Sequence, residues 1–144
     1  MFNEFYYKAF PNIKEIEFCE DMERQRKGFD KIIHFNNGNW FAIDEKKRRV
    51  DYGDILLEIW SVDNRKRGWL YTCQCDYIVY AIMPTKKIYL LPTLLLKKAW
   101  ITNRDKWIKY KPIIAPNNGY VTESRAIEIK ELLSAISYEM SQAF

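Results

Sequence analysis

Residues 31–47 read KIIHFNNGNWFAIDEKK, and their alternation decides the architecture around them. Lys31 to Phe35 is a β-branched and aromatic run, and Asn37-Gly38 is the strongest short-range signal for a tight hairpin turn. Trp40 to Lys47 then runs back. Side chains alternate between the two faces of a strand, so Trp40, Ala42, Asp44 and Lys46 share one side. A carboxylate and an ammonium therefore stand two residues apart and point the same way, while Asp30 sits where the first hairpin strand begins.

Working outward, Asn12 to Lys27 carries Ile13, Ile16, Phe18 and Met22 at roughly helical spacing and ends at Gly28, which predicts a helix. Asp54 to Val62 is rich in Ile, Leu and Trp and suits a central, buried strand, followed by a charged turn over Arg65 to Gly68. Tyr77 to Met83 and Lys87 to Leu91 read as a strand pair around Pro84-Thr85. Pro92 then opens a helix from Thr93 to about Thr102. Asn117-Asn118-Gly119 marks a turn, Tyr120 to Ile129 a strand, and Ile129 to Met140 an amphipathic helix. This order predicts an α/β (α+β) chain, with one domain over 1–144 and a mixed sheet flanked by helices.

The chain is 144 residues long, 48% hydrophobic and 16% aromatic, which predicts a packed globule rather than a disordered segment. Its net charge of +4 is compatible with a nucleic-acid partner without demanding one. Ile88 to Leu96 is too short to cross a bilayer and is broken by Pro92, and the N-terminus has no apolar signal core. No membrane association and a reducing, cytoplasmic setting are the expectation. Cys73-x-Cys75 invites a metal reading, but no second pair exists and His34 is the single histidine, so buried thiols are expected instead. His34 itself reads as a hairpin-face residue rather than a general base.

Glu58 lies within Ile55-Leu56-Leu57-Glu58-Ile59-Trp60, where a bare carboxylate is costly unless paired or bound to a cation. A divalent ion such as Mg, which prefers oxygen ligands, would account for Asp30, Asp44 and Glu58 converging from neighbouring strands. Lys46 would then orient the attacking water or face the charge that develops on a phosphate. Ordinary explanations exist for each feature singly: a surface ion pair, a turn cap, a solvated basic strand end over Lys46 to Arg49. Their joint occurrence in order carries the argument.

Asp30, a hairpin, then Asp44-x-Lys46 resembles the Asp…(Asp/Glu)-x-Lys signature of the PD-(D/E)xK, or restriction-endonuclease-like, nuclease superfamily. Similarity to small phage and bacterial members extends over Phe41 to Arg49, Leu57-Glu58, Gly68-Trp69-Leu70 and Cys75 to Tyr80, within roughly Glu20 to Leu91. The resemblance implies a restriction-endonuclease-like core, Mg or Mn ions, and cleavage of DNA, with Asp30 and Asp44 binding metal and Lys46 assisting attack. It also makes Glu20 or Asp21 an extra candidate acid. Phe29 stands where the signature has proline. Glu45-x-Lys47, on the opposite face, is an equally legal register, although the less crowded face of Ala42 favours Asp44-x-Lys46. Asp76 is a candidate support for the site. Lys97, Lys98, Arg104, Lys106, Lys109 and Lys111, interleaved with Trp100, Trp107 and Tyr110, form a candidate phosphate-gripping surface. Phe5, Tyr6 and Tyr7 are candidates for a homodimer contact. A module that binds nucleic acid on the same scaffold without cleaving it is the alternative function.

Overall fold

A computed structural model describes residues 2–62 and 65–141, and its fold is mixed α+β. The hairpin forms as its alternation requires. Strand β2 (Lys31–Phe35) pairs antiparallel with β3 (Trp40–Arg48), with Lys31 opposite Ile43 and His34 opposite Trp40. Gly38 takes φ +88°, the left-handed conformation that the turn demands and that glycine adopts at least cost.

The helix expected over Asn12 to Lys27 does not form. Strand β1 (Ile13–Phe18) occupies its first half and pairs antiparallel with β2, and only α2 (Met22–Arg26) is helical. Ile13, Ile16 and Phe18 satisfy either period over so short a span, and the free edge of β2 decides between them. The helical start signal is real but lies later: the Asp21 carboxylate accepts from the Arg24 amide and caps α2. A short helix α1 (Asn3–Ala9) precedes β1.

The next elements are β4 (Asp54–Val62), β5 (Lys66–Arg67), the single turn α3 (Trp69–Thr72), β6 (Tyr77–Ile82) and β7 (Lys87–Pro92). They are followed by α4 (Thr93–Trp107), β8 (Pro112–Asn117), β9 (Tyr120–Glu128) and α5 (Ile129–Met140). The charged segment expected as a turn thus contributes a two-residue strand. Helix α4 runs five residues beyond Thr102 because Trp107 has an apolar surface to bury. Strand β8 was not expected; its prolines, Pro112 and Pro116, suit only an edge, which is where it lies.

Two sheets result, with orders β1-β2-β3-β6-β7 and β5-β4-β9-β8. The first is mixed, because β3 runs parallel to β6 and its other pairs are antiparallel. Strand β4, expected to sit beside the hairpin, pairs instead with β9 and β5 in the second sheet. The main core joins Ile55, Leu57 and Ile59 of β4 to Ala42, Ile78 and Tyr80 of the first sheet, and to Leu96, Trp100 and Leu132 of the long helices. A second core, with Tyr6, Ile33, Ile43 and Val79, fills the other face of the first sheet beneath α1. No helix among the described residues is long and apolar enough to cross a membrane.

Candidate metal and phosphate site

Strand β3 lies in the middle of the first sheet, and its alternation separates two chemistries. Ala42 belongs to the main core and Ile43 to the second, so Asp44 and Lys46 face the main-core side while Glu45 faces α1. Glu45 accepts from the Tyr6 phenol at 2.5 Å and pairs with Lys31 Nζ at 2.9 Å. Glu45 is therefore engaged in a part-buried network with α1, while Lys47 is exposed. Tyr6, a candidate for a homodimer contact, is fully buried in that network.

On the other face, Asp30, Asp44, Lys46 and Glu58 line a single cleft of about 220 Å³. Arg26, Lys66 and Arg67 contribute to the same wall. Asp44 is 3% exposed, and Lys46 Nζ approaches its Oδ2 at 3.1 Å. Burial pushes the Asp44 carboxyl up to about 6; the Lys46 ammonium opposes this, and the charge of the neighbouring Asp30 adds to it. Asp30 is exposed. Its Oδ2 accepts from the Glu45 amide at 2.7 Å, and its own amide donates to the Ile43 carbonyl. The strand that carries Asp44 thus holds Asp30 as well.

Glu58 reaches the cleft from the second sheet. Its carboxyl is raised by burial, with the Trp69 amide and the Lys46 charge acting the other way. Gly68 allows this approach: a Cβ there would stand 2.3 Å from the Glu58 carbonyl oxygen. Trp69, at the start of α3, lies beneath the Lys46 ammonium, 5.3 Å from nitrogen to ring centre. Glu58 and the two aspartates do not form a set with every carboxylate within 4.8 Å of the others.

The tighter cluster was not visible in the sequence. Asp44, Cys73 and Cys75 place one oxygen and two sulfurs within 4.8 Å of one another, all buried. The two thiols are in contact, Cys73 Sγ lies 3.6 Å from Asp44 Oδ2, and Cys75 Sγ lies 3.2 Å from the Thr93 hydroxyl. Buried thiols were expected; their abutment on Asp44 was not, because β3 and the Cys73 loop are distant in sequence.

Other candidates fall elsewhere. Asp76 accepts from the Ala42 amide at 2.8 Å and fixes the start of β6 against β3. Glu20 and Asp21 do not line the cleft, and Asp21 is occupied capping α2. His34 pairs with Glu17 at 2.9 Å. Trp100 and Trp107 are 1% and 0% exposed and cannot stack on a base, while Lys106 pairs with Glu131 and Lys97 Nζ donates to the Cys73 carbonyl. The two indoles of the stretch over 97–111 are thus core, while Lys98, Arg104, Lys106, Lys109 and Lys111 remain exposed on its surface.

Comparison of the chain with models of known families, with curated proteins and with solved structures finds no match.

Proposed function

We propose that the protein is a divalent-metal-dependent nuclease that hydrolyses DNA phosphodiester bonds at the cleft of Asp30, Asp44, Lys46 and Glu58, on a restriction-endonuclease-like core. The observation that carries this reading is the gathering of two carboxylates, Asp30 and Asp44, in one open cleft, with an amine 3.1 Å from Asp44. Neighbouring carboxylates repel one another when both are ionised, and a hard cation relieves the repulsion.

The donor chemistry fits Mg or Mn. Such ions take one or two carboxylates and keep several waters, so Asp30 and Asp44 would hold the ion directly while Glu58, on the opposite sheet, would act through solvent. The ion, when bound, supplies Lewis-acid polarisation of the phosphoryl group and makes water more acidic. Asp44 accepts from Lys46 and so aims its ammonium into the cleft, where it can orient the attacking water and face the charge that develops on the phosphate. Arg26, Lys66 and Arg67 give the rim the positive charge that a nucleic-acid backbone requires.

The test is nicking of supercoiled plasmid in Mg or Mn. The native chain is expected to cleave, and Asp44→Ala and Lys46→Ala are expected to be silent. Cleavage that survives either substitution would remove the proposal. DNA binding that is indifferent to metal and never followed by cleavage would leave a binding module in its place.

A further inference from the structure

Cys73 closes α3 in an extended conformation, with φ −66° and ψ 129°. In extended chain, residues two apart project to the same side, so Cys73 and Cys75 both meet the buried edge of Asp44. The carboxylate is thereby shared between two unlike donor sets: oxygens of Asp30 on the cleft side, thiols on the inner side.

We propose that Asp44, Cys73 and Cys75 form a site for a thiophilic divalent cation of the zinc class. Two cysteines and one carboxylate are a three-protein-ligand set of the kind zinc uses when a fourth position stays open. Cys73 lines the cleft, so solvent can fill that fourth position. Space for its sulfur exists only because residue 28 is glycine: a Cβ at Gly28 would stand 2.7 Å from Cys73 Sγ. Binding releases the thiol protons, and the two sulfurs, now in contact, must part to about 3.8 Å, the edge of a zinc tetrahedron with Zn–S bonds of about 2.3 Å. Rotation about one cysteine χ1 moves a sulfur over such a distance.

One consequence rests on the nuclease reading. An ion held by the thiols and Asp44 withdraws that carboxylate from Asp30, so zinc and magnesium would exclude one another, and zinc would silence cleavage.

The experiment titrates the full reduced chain, without nucleic acid, with Co²⁺ and follows the near-ultraviolet thiolate-to-cobalt charge-transfer band. One equivalent is expected to saturate the band, and one equivalent of Zn²⁺ to abolish it. The band should vanish in Cys73→Ser and in Cys75→Ser, weaken at least tenfold in affinity in Asp44→Asn, and be untouched in Cys19→Ser. Absence of a band in the native chain, or its survival in the double Cys73→Ser, Cys75→Ser variant, would overturn the site. A second arm follows Mn²⁺ by electron paramagnetic resonance. Release of bound Mn²⁺ by one equivalent of Zn²⁺ is the expected result, and Zn²⁺ binding with Mn²⁺ retained would overturn the sharing of Asp44. A chain that binds no Mn²⁺ but gives the cobalt band would refute the nuclease reading and keep the thiolate site.

Discussion

The Glu45 backbone amide donates to the Asp30 carboxylate at 2.7 Å, although Glu45 itself points to the opposite face of the sheet. Residue 45 therefore serves both faces of β3: its side chain anchors the strand to α1, and its amide sets the acid beside Asp44. The position of Asp30 is fixed by backbone, so its charge can be separated experimentally from its fold.

Asp30→Asn tests that separation. The amide oxygen can still accept from Glu45, so thermal stability should stay within about 1 kcal/mol of the native chain. Mn²⁺ affinity measured by calorimetry should fall about 100-fold or more, beyond the roughly 10- to 100-fold that loss of an outer-shell partner produces. Native-like Mn²⁺ affinity in this variant would exclude Asp30 as a ligand.

The raised Asp44 carboxyl predicts a specific pH dependence. An ordinary aspartate titrates near about 4 and this one at about 6, so between those values the folded state holds a proton that the unfolded chain has lost. Ionisation of Asp44 in the folded chain therefore costs stability, and the cost grows as pH rises from about 4 through 6 and is complete above. A rise from about 4 to about 6 corresponds to at most about 3 kcal/mol. Without metal, Asp44→Asn should melt higher than the native chain at pH 8, and the gap should close by pH 4. Added Mg should raise the native melting temperature at pH 8 and do so far less at pH 5. A native chain that shows the same Mg response at both values would contradict the assignment of Asp44.

The hairpin, the faces of β3 and the C-terminal helix were legible because each is written locally: Asn37-Gly38 for the turn, period two over Trp40 to Lys46, apolar spacing over Ile129 to Met140. Strand β1 was not, since Ile13, Ile16 and Phe18 fit both periods and only the edge of β2 selects one. The partner of β4 was equally hidden. Its apolar run announces burial, but not that Leu57 lies opposite Arg125 in a second sheet. Sequence order brought Asp30, Asp44 and Lys46 together because one hairpin carries all three. The cysteines next to Asp44 arrive through the parallel pairing of β3 with β6, a long-range contact that leaves no local mark.

Gly68 makes a prediction about Glu58. Its φ of −75° is open to any residue, so the demand for glycine is purely the approach of its Cα to the Glu58 backbone. Gly68→Ala must push α3 away from β4, at a cost of about 1–3 kcal/mol. The Trp69 amide would move with it and release the Glu58 carboxylate. Expected readouts are a lower denaturation midpoint and a changed Trp69 fluorescence, the latter read against a Trp69→Phe control. An unchanged midpoint would mean that the close contact relaxes freely.

Glu45→Gln separates the two registers of the acid and lysine pattern. Lys31 is 4% exposed, its Nζ pairs with Glu45 at 2.9 Å, and the rings of Phe2, Tyr6 and Phe18 surround it. Neutralising Glu45 leaves that buried ammonium with neutral acceptors, the Asn3 and substituted amide oxygens, and with aromatic faces, but without its carboxylate partner. Removing one member of a buried pair outright costs about 3–5 kcal/mol, and the retained amide acceptor offsets part of that, so a clear drop in urea midpoint is expected. Lys31→Met combined with Glu45→Gln should recover much of the loss, because no charge is then stranded. The Glu45 amide is unaltered in both variants, Asp30 keeps its donor, and Mn²⁺ affinity below the unfolding transition should match the native chain. Loss of Mn²⁺ binding from a folded Glu45→Gln protein would transfer the metal site to the α1 face and reverse the assignment of Asp44.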